Sequence, residues 1–359
     1  MKILYIGVES PNRGVHLCNE ICKQGHEITC VVLNEVEYDG DIPIVLHKNL
    51  TKITMDSTES LNPQFMNLKL KKILENTDII IGAHVPISPM IGYLGYTYNK
   101  PWTVMLLDVP TDLIFQQPER KKQWECWLGI LQMAKTILFN TMIAKKEYKR
   151  FMGKEFPDEN VITYGTNMPE EFDNAGIDIK GDYVVSSCRL TPVKNCLQIA
   201  KALALTKNKL GYVAIGRDSG ELNQITEFCN DNGIEFSHYE NISEVEKFTL
   251  FKNASMMVYP QKTEYIGGLA PFESMFVGTP VICTDYDVLK DLYGEFSIYY
   301  DRSTEELAKK IDEVHDKERT SIKLELMSAN DYCKEVATFE RMAKDILHIL
   351  KKEVTKCQY

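Results

Sequence analysis

Short apolar runs alternate with segments of helical spacing along most of the chain. In the first part the apolar runs are KILYIGV, ITCVVL, DIIIGAH, PWTVMLLDV and KTILFN, and the helical segments among them are VHLCNEICKQGHE, NLKLKKILENT, WECWLGILQMA and TMIAKKEYKRFM. A strand, a helix and a second strand in succession predict a parallel strand pair, because parallel strands need a crossover connection. The pattern therefore predicts a doubly wound α/β domain, in which helices flank a parallel sheet.

The same alternation starts again in the second half of the chain. Its predicted strands are YVVSSCRL, GYVAIG, SMMVYP and PVICTD, and its predicted helices are CLQIAKALALT, LNQITEFCNDN and PFESMFVG. The polar segment NMPEEFDNAGIDIKGD, residues 167–182, is typical of a linker. A chain of 359 residues is long enough for two domains of roughly 150 residues each. We expect domains over 1–168 and 169–336.

The last segment, 337–359, contains ATFERMAKDILHILKKEV, which has an apolar stripe at helical spacing. It predicts a C-terminal amphipathic helix, and we leave open whether this helix packs back toward the N-terminal domain.

Charge and composition exclude several classes of protein. The net charge is −10, so the chain lacks the Lys and Arg excess that binds nucleic acid. The ten cysteines form no CxxC pair, which favours reduced thiols in the cytoplasm. No apolar run has the roughly 20 residues that span a bilayer. The basic segments ERKKQWECWLG and IAKKEYKRFMGK leave open a peripheral contact with the inner face of a membrane, although a solvated helix face is the simpler interpretation.

Two segments of the second half suggest a binding site. In RLTPVKN, Arg189 follows a predicted strand and Lys194 precedes a predicted helix, so two cations could neutralise a diphosphate, or both could be solvated surface residues. In TEYIGGLAPFESMFVGTPVI, Glu264 and Glu273 bracket a turn with two adjacent glycines. Carboxylates accept hydrogen bonds from hydroxyls, and glycine lets backbone N–H groups approach a ligand.

These segments together resemble the family-4 retaining glycosyltransferases, which have the GT-B architecture of two facing Rossmann-like domains. The resemblance is carried by SSCRLTPVKNCLQIAKAL, YVAIGRDSGELNQITEFC, FKNASMMVYPQKTEYIGGLAPFESMFVGTPVICTD, GHEITCVV and VITYGTN. It implies an N-terminal acceptor-side domain and a C-terminal domain that binds a nucleoside diphosphate sugar, with no cofactor and no metal.

The resemblance also implies roles for individual residues. Glu273 would accept hydrogen bonds from the ribose hydroxyls, and Arg189 and Lys194 would hold the diphosphate. The family places two glutamates around seven intervening residues, whereas eight residues separate Glu264 from Glu273. Glu264 is our expected contact with the donor sugar, and the spacing leaves Tyr265 as the alternative.

Backbone and acceptor-side residues complete the implied site. The amides of Gly267, Gly268 and Leu269 would face the sugar and the leaving phosphate, and Gly14, in the first strand-to-helix turn, would let backbone approach the donor. The family often has a His or Asp after a first-domain strand. Asp108 is our first choice for that position and His84 our second, with a satisfied polar residue near the sheet edge as the alternative for either.

One further pattern has the form of a metal-binding motif. Asp285 and Asp287 spell D-x-D, which binds a divalent metal in another class of glycosyltransferase; here a surface turn is the simpler interpretation. We therefore expect a metal-independent transfer of a sugar from a nucleoside diphosphate donor to a hydroxyl acceptor, with retention of configuration. A sugar-nucleotide epimerase of the same architecture and a non-catalytic nucleotide-sugar-binding protein remain the alternatives.

Overall fold

The computed structural model describes residues 1–7, 11–33, 44–55, 62–166, 177, 179, 181–265, 267–317 and 319–356. The predicted linker, 167–182, lies almost entirely outside these residues. Contacts divide the chain into two compact units: the first contains the described residues of 1–167 and 338–359, and the second those of 168–337. Each unit is built around its own parallel sheet.

The first unit has a six-stranded sheet in the order β3-β2-β1-β4-β5-β6, and all of its strand pairs are parallel. Its strands are β1 (Lys2–Gly7), β2 (Glu27–Leu33), β3 (Leu50–Met55), β4 (Ile79–Ala83), β5 (Trp102–Leu106) and β6 (Thr136–Phe139). The chain builds outward from β1 to β3 and then returns to place β4 on the other side of β1. This reversal is a topological switch point, where ligands of open α/β sheets usually bind.

Helices connect these strands. They are α1 (Pro11–Lys23), α2 (Pro63–Glu75), α3 (Ser88–Thr97), α4 (Asp112–Phe115), α5 (Pro118–Leu131) and α6 (Met142–Met152), with 3₁₀ turns at Val85–Ile87 and Asp158–Asn160. Side-chain caps set several helix starts: Asn62 accepts hydrogen bonds from backbone N–H groups of α2, and Thr141 does the same for α6.

The second unit repeats the arrangement, with six parallel strands in the order β12-β11-β10-β7-β8-β9. They are β7 (Tyr183–Ser187), β8 (Gly211–Ile215), β9 (Phe236–Tyr239), β10 (Met256–Tyr259), β11 (Val281–Thr284) and β12 (Ile298–Tyr300). Here the switch point lies between β7 and β10. The predicted fold class, α/β with two parallel sheets flanked by helices, is confirmed.

The helices of the second unit are α7 (Leu197–Leu203), α8 (Leu222–Asp231), α9 (Glu244–Asn253), α10 (Ala270–Phe276), α11 (Asp287–Tyr293), α12 (Thr304–Asp316) and α13 (Arg319–Val336), with a 3₁₀ turn at Gly294–Phe296. A capping box starts α9: Ser243 accepts from the backbone N–H of Glu246, whose carboxylate accepts from the N–H of Ser243. The cap fixes the position of α9, which carries a lysine of the candidate site described below.

The last helix, α14 (Phe339–Lys356), belongs to the first unit and packs on α1. Its buried stripe joins the same apolar cluster as the buried face of α1 and strands β1, β2 and β4; on α14 the stripe comprises Phe339, Met342, Ala343, Ile346, Leu347, Ile349 and Leu350. Among the described residues, no helix is long and apolar enough to cross a membrane.

Replacing Ile346 by Ala should destabilise the first unit, because Ile346 is fully buried in the apolar cluster that α14 shares with α1 and the sheet. Loss of a buried aliphatic side chain typically lowers the free energy of unfolding by about 2–5 kcal/mol. All three tryptophans (Trp102, Trp124 and Trp127) lie in this unit, so denaturation followed by tryptophan fluorescence reports its unfolding.

The matched control is His348→Ala, on the exposed side of the same helix. It should change the free energy of unfolding by no more than about 0.5 kcal/mol. Equal midpoints for the two variants would contradict the packing of α14 described above.

Candidate functional site

The switch point of the second sheet brings together side chains from the ends of β7 and β10. Lys194, in the connection after β7, donates a hydrogen bond from Nζ to Tyr259 Oη at 2.9 Å, and Tyr259 is the last residue of β10. The ammonium also lies 5.1 Å from the centre of the Tyr259 ring. A cation near an aromatic face is stabilised by the ring electrons. Tyr259 therefore holds the predicted phosphate-binding lysine in a defined position.

The charge of Lys194 is retained in this half-buried setting. Burial acts to lower the pKa of its ammonium, but the hydrogen bond and charge interaction with Tyr259, together with two nearby thiols, outweigh burial and raise that pKa above its usual value. Lys194 is therefore a cation at neutral pH.

Arg189 follows β7 by two residues and is exposed. In the described part of the chain its guanidinium forms no ion pair, so its charge is not neutralised by a nearby carboxylate. The structure thus places both predicted cations on the connection between β7 and α7, one fixed by Tyr259 and the other exposed to solvent.

The glycine turn that precedes α10 is packed against two buried side chains. A Cβ on Gly268 would lie 2.4 Å from Tyr259 Oη, and a Cβ on Gly267 would lie 2.0 Å from Leu292 Cδ1. A side chain at either position would displace the atom it meets: at Gly268 the hydroxyl that holds Lys194, and at Gly267 the end of the Leu292 side chain. The turn therefore lies directly over the tyrosine that holds Lys194.

A second tyrosine fixes this turn from α11. The Oη of Tyr293 donates to the carbonyl of Gly268 at 2.6 Å and accepts from its N–H at 3.1 Å. The amide of Gly268, which the sequence predicts to face the donor, is thus hydrogen-bonded within the protein. Leu269 immediately precedes α10, and Ile266 lies outside the described residues.

Glu273 is buried on α10, with only 4% of its surface exposed. Its Oε2 lies 3.1 Å from Nζ of Lys247, which belongs to α9 and also contacts Glu244 Oε1 at 2.8 Å. Burial acts to lower the pKa of Lys247, but Glu273 and Glu244 outweigh it and raise that pKa. A fixed ammonium therefore compensates the buried carboxylate that the sequence predicts to hold ribose.

The two glutamates that bracket the turn lie in different surroundings. Glu264 is exposed to solvent, whereas Glu273 is buried. Tyr265 is half-buried, and its N–H donates to Thr263 Oγ1 at 3.4 Å. The choice between Glu264 and Tyr265 for the donor sugar remains a prediction.

The structure pairs the two acceptor-side candidates of the first unit. His84 follows β4, Asp108 follows the neighbouring strand β5, and His84 Nδ1 lies 3.0 Å from Asp108 Oδ2. His84 has φ 95° and ψ 142°. Such a conformation is rare for a residue with a side chain and costs roughly 1–3 kcal/mol, and strain of this kind is concentrated at functional sites. The backbone carbonyl of Asp108 also accepts from Tyr148 Oη at 3.0 Å.

Gly14 does not lie in a turn, as the sequence suggested, but inside α1, which begins at Pro11. Proline at the first helical position is favourable, so the helix starts earlier than expected. A Cβ on Gly14 would lie 2.9 Å from Tyr5 Cε1. The glycine thus lets the Tyr5 ring pack against α1. Contact of Gly14 with the donor remains a prediction.

The D-x-D pair follows β11. Asp285 forms an ion pair with Lys290 at 2.6 Å, and Asp287 is the first residue of α11. Within the described ranges, no group of three or more His, Cys, Asp or Glu side chains has the arrangement of a metal site.

The basic segment at α6 is largely neutralised by carboxylates. Lys145 contacts Asp158, Lys149 lies 2.7 Å from Glu155, and Arg150 contacts the carboxylates of Asp112 and Glu147, the nearer at 2.5 Å. These ion pairs favour a solvated helix face over a lipid-binding one for this segment.

Three residues of the site are not predicted from the sequence: Lys247, Tyr259 and Tyr293. Lys247 meets Glu273 across a long sequence separation, and no spacing pattern signals such a contact. Tyr259 is the last residue of an apolar strand, and in the sequence it cannot be distinguished from an ordinary core residue. Only its position at the switch point, once the sheet order is known, marks it as part of the site.

Comparison with known proteins supports a glycosyltransferase. Residues 167–331 match the sequence profile of the family described as Glycosyl transferases group 1. This match covers most of the second unit, which contains Lys194, Tyr259 and Glu273. A comparison with curated protein sequences found no match.

Solved structures of similar fold include HepE from Anabaena in complex with UDP and glucose, with a TM-score of 0.73 and 15% identity, covering 98% of this chain and 100% of that chain. Sucrose-phosphate synthase from Thermosynechococcus elongatus has a TM-score of 0.72 and 14% identity, covering 98% of each chain. The trehalose-6-phosphate protein of E. coli bound with UDP-2-fluoro glucose has a TM-score of 0.73 and 11% identity, covering 98% of this chain and 99% of that chain. At these identities the likeness shows the fold, that of the GT-B proteins.

Replacing Lys247 by Met should destabilise the second unit, because the buried carboxylate of Glu273 would lose its ammonium partner. Breaking a buried ion pair from one side typically costs about 3–5 kcal/mol of the free energy of unfolding. Chemical denaturation followed by far-UV circular dichroism measures the change.

Lys252→Met is the control, since Lys252 is exposed in the last turn of the same helix. We expect its effect to stay within about 0.5 kcal/mol. If the Lys247 variant were as stable as the control, the ion pair would not support the fold in the way we describe.

Proposed function

We propose that this protein is a retaining glycosyltransferase that moves a sugar from a nucleoside diphosphate donor to a hydroxyl acceptor, without a metal or cofactor. The observation that carries the proposal is the arrangement at the β7/β10 switch point. There a fixed cation, Lys194, lies beside the glycine turn that leads to buried Glu273. This arrangement belongs to the part of the chain that matches the Glycosyl transferases group 1 family.

In the proposed complex, Lys194 and Arg189 bind the diphosphate. Ammonium and guanidinium groups form strong charge-assisted hydrogen bonds to phosphate oxygens. Tyr259 holds the ammonium of Lys194 before the donor binds, so little side-chain entropy is lost on binding. The same cations would stabilise the negative charge that develops on the departing diphosphate during transfer.

Glu273 accepts hydrogen bonds from the ribose hydroxyls in this proposal. The ammonium of Lys247, 3.1 Å from Oε2, fixes the orientation of this carboxylate, and carboxylate oxygens accept hydrogen bonds from hydroxyls. Glu264, on the exposed side of the turn, is the proposed contact with the donor sugar.

The His84–Asp108 pair is the proposed acceptor-side group. Its two side chains lie 3.0 Å apart after β4 and β5, at the position where the family that this chain resembles often has a His or Asp. We propose that no side chain serves as nucleophile and that the leaving phosphate takes the proton of the acceptor hydroxyl on the same face of the sugar.

Uridine diphosphate sugars are the first donors to test, because UDP or a UDP sugar is bound in two of the similar structures. The experiment that tests the proposal is incubation of the chain with a panel of UDP sugars and hydroxyl acceptors, followed by measurement of released UDP and of the anomeric configuration of the product. Acceptor-dependent release with retention supports a retaining transferase. Interconversion of sugar nucleotides without an acceptor would instead identify an epimerase, and tight binding without release a non-catalytic binder.

Replacing Lys194 by Met should raise the dissociation constant for UDP by about tenfold or more. A hydrogen bond to a charged group is worth roughly 1.5–3 kcal/mol, and methionine keeps the aliphatic stem without the ammonium. Titration calorimetry with UDP measures the effect. Lys201→Met, an exposed change in α7, is the control and should leave the affinity unaltered; equal affinities for both variants would remove Lys194 from the site.

The two glutamates should respond differently to substitution by Gln. Glu273→Gln should weaken binding of both UDP and the intact donor by roughly 1–3 kcal/mol, because a ribose hydroxyl loses its charged acceptor. Glu264→Gln should weaken binding of the intact donor or slow transfer, with UDP affinity nearly unchanged. Calorimetry of each variant with both ligands decides the matter. Normal binding and turnover in the Glu264 variant would give its role to Tyr265.

A further inference from the structure

Two cysteine thiols face each other at the ends of the Arg189/Lys194 connection. Cys188 Sγ and Cys196 Sγ are 3.4 Å apart, and the residues between them include both cations proposed to bind the diphosphate. We call residues 188–196 the cysteine-bounded loop. The two sulfurs are in contact without being bonded.

Backbone hydrogen bonds hold both ends of this loop in place. The N–H of Cys188 donates to the carbonyl of Ile215 at 2.9 Å, and the N–H of Cys196 donates to Glu221 Oε2 at 3.2 Å. A Cβ on Gly216, which follows the neighbouring strand β8, would lie 2.2 Å from the carbonyl oxygen of Cys188, so this close approach of the two backbones requires glycine. These contacts fix the backbone positions of both cysteines.

The two thiols differ in exposure and in charge environment. Cys188 is half-buried and Cys196 fully buried. A hydrogen bond from the Cys196 thiol lowers the pKa of Cys188, although burial opposes it, and the charges of Lys194 and Arg189 add to the lowering while Glu221 acts against it. The hydrogen bond to Cys188 and burial raise the pKa of Cys196. Thiols with a lowered pKa beside cations are the reactive ones in proteins.

We propose that Cys188 and Cys196 form a redox modification site, in which a peroxide converts the pair reversibly to an intramolecular disulfide that weakens donor binding. The Cys188 thiolate attacks one oxygen of the peroxide and the O–O bond breaks. With hydrogen peroxide the leaving hydroxide takes up a proton and becomes water, and Cys188 is left as a sulfenic acid.

The second step uses the buried thiol. Cys196 gives up its proton, its sulfur attacks the sulfur of Cys188, and the S–O bond breaks to release a second water. The pair of thiols is oxidised by two electrons and the peroxide is reduced by the same number. A dithiol reductant restores both thiols by thiol–disulfide exchange.

The effect on the donor rests on the proposed function. A disulfide needs a sulfur–sulfur distance of about 2.05 Å, so the two sulfurs must approach from their present 3.4 Å, by rotation of both side chains and a shift of the loop residues that carry them. Lys194 lies two residues before Cys196 and is held by Tyr259, so this movement displaces the cation from the position in which it would meet the diphosphate. We expect the dissociation constant for UDP to rise about tenfold in the oxidised protein.

The test treats the full chain with hydrogen peroxide, blocks the remaining thiols by alkylation and digests the protein with trypsin. Cleavage after Arg189 and Lys194 separates the two cysteines into peptides 181–189 and 195–201. A disulfide joins these peptides, and reduction releases them. UDP affinity is measured by calorimetry on the reduced, oxidised and re-reduced protein.

Three variants serve as comparisons. Cys126→Ser, which removes an exposed cysteine of α5, should leave disulfide formation unchanged. Cys196→Ser should leave Cys188 as a sulfenic acid that dimedone traps. Because Cys196 is fully buried and its replacement could impair folding, Cys188→Ser is the second variant, and its UDP affinity should be insensitive to peroxide.

The expected result is the joined peptide, a tenfold loss of UDP affinity and recovery of that affinity on reduction. Absence of the joined peptide, with Cys188 unmodified or oxidised to sulfinic acid, overturns the proposal. A disulfide with unchanged UDP affinity overturns the link to donor binding. If the reduced protein does not bind UDP at all, uridine is not the base of the proposed donor, and the peptide measurement alone still decides whether the disulfide forms.

Discussion

Parallel strand pairing is the constraint on which both halves of this structure depend. Each pair of neighbouring strands in the two sheets is parallel, so every strand of a sheet ends at the same edge. Helices must return the chain to the edge where the strands begin. These helices cover both faces of the sheet, so β4 and β5 are buried along their whole length. The order of strands then decides which loops meet. The β7/β10 neighbours bring Lys194 to Tyr259, and the β4/β5 neighbours bring His84 to Asp108.

Charges of the candidate site are desolvated only where the structure compensates them. Glu273 has Lys247, and Lys194 has the hydroxyl and ring of Tyr259. A buried ion pair is often no more stabilising than apolar residues of the same volume, because removing charges from water costs about as much as their attraction returns. The pair is therefore better explained by a requirement for a fixed carboxylate than by stability. Arg189, which stays exposed, retains its full charge for a ligand at no such cost.

Periodicity in the sequence predicts the fold class correctly because each buried strand carries a run of apolar residues. Among the elements it misses, three have a weak signal: α3 is apolar nearly all round, β9 has only half-buried residues, and β12 is three residues long. The sequence also selects His84 and Asp108 as competing candidates, and the structure shows that they contact each other. Contacts such as Lys247 with Glu273 cannot be predicted in this way, since they depend on how two helices pack across one face of the sheet.

A crystal structure of the chain with UDP tests the central claim most directly, namely that the β7/β10 switch point is the diphosphate site of a sugar-nucleotide enzyme. We predict that the diphosphate lies within hydrogen-bonding distance of Lys194 Nζ and that the ribose hydroxyls donate to the carboxylate of Glu273. UDP bound elsewhere, or bound at the switch point with its ribose away from Glu273 and its phosphates away from Lys194, would contradict the account.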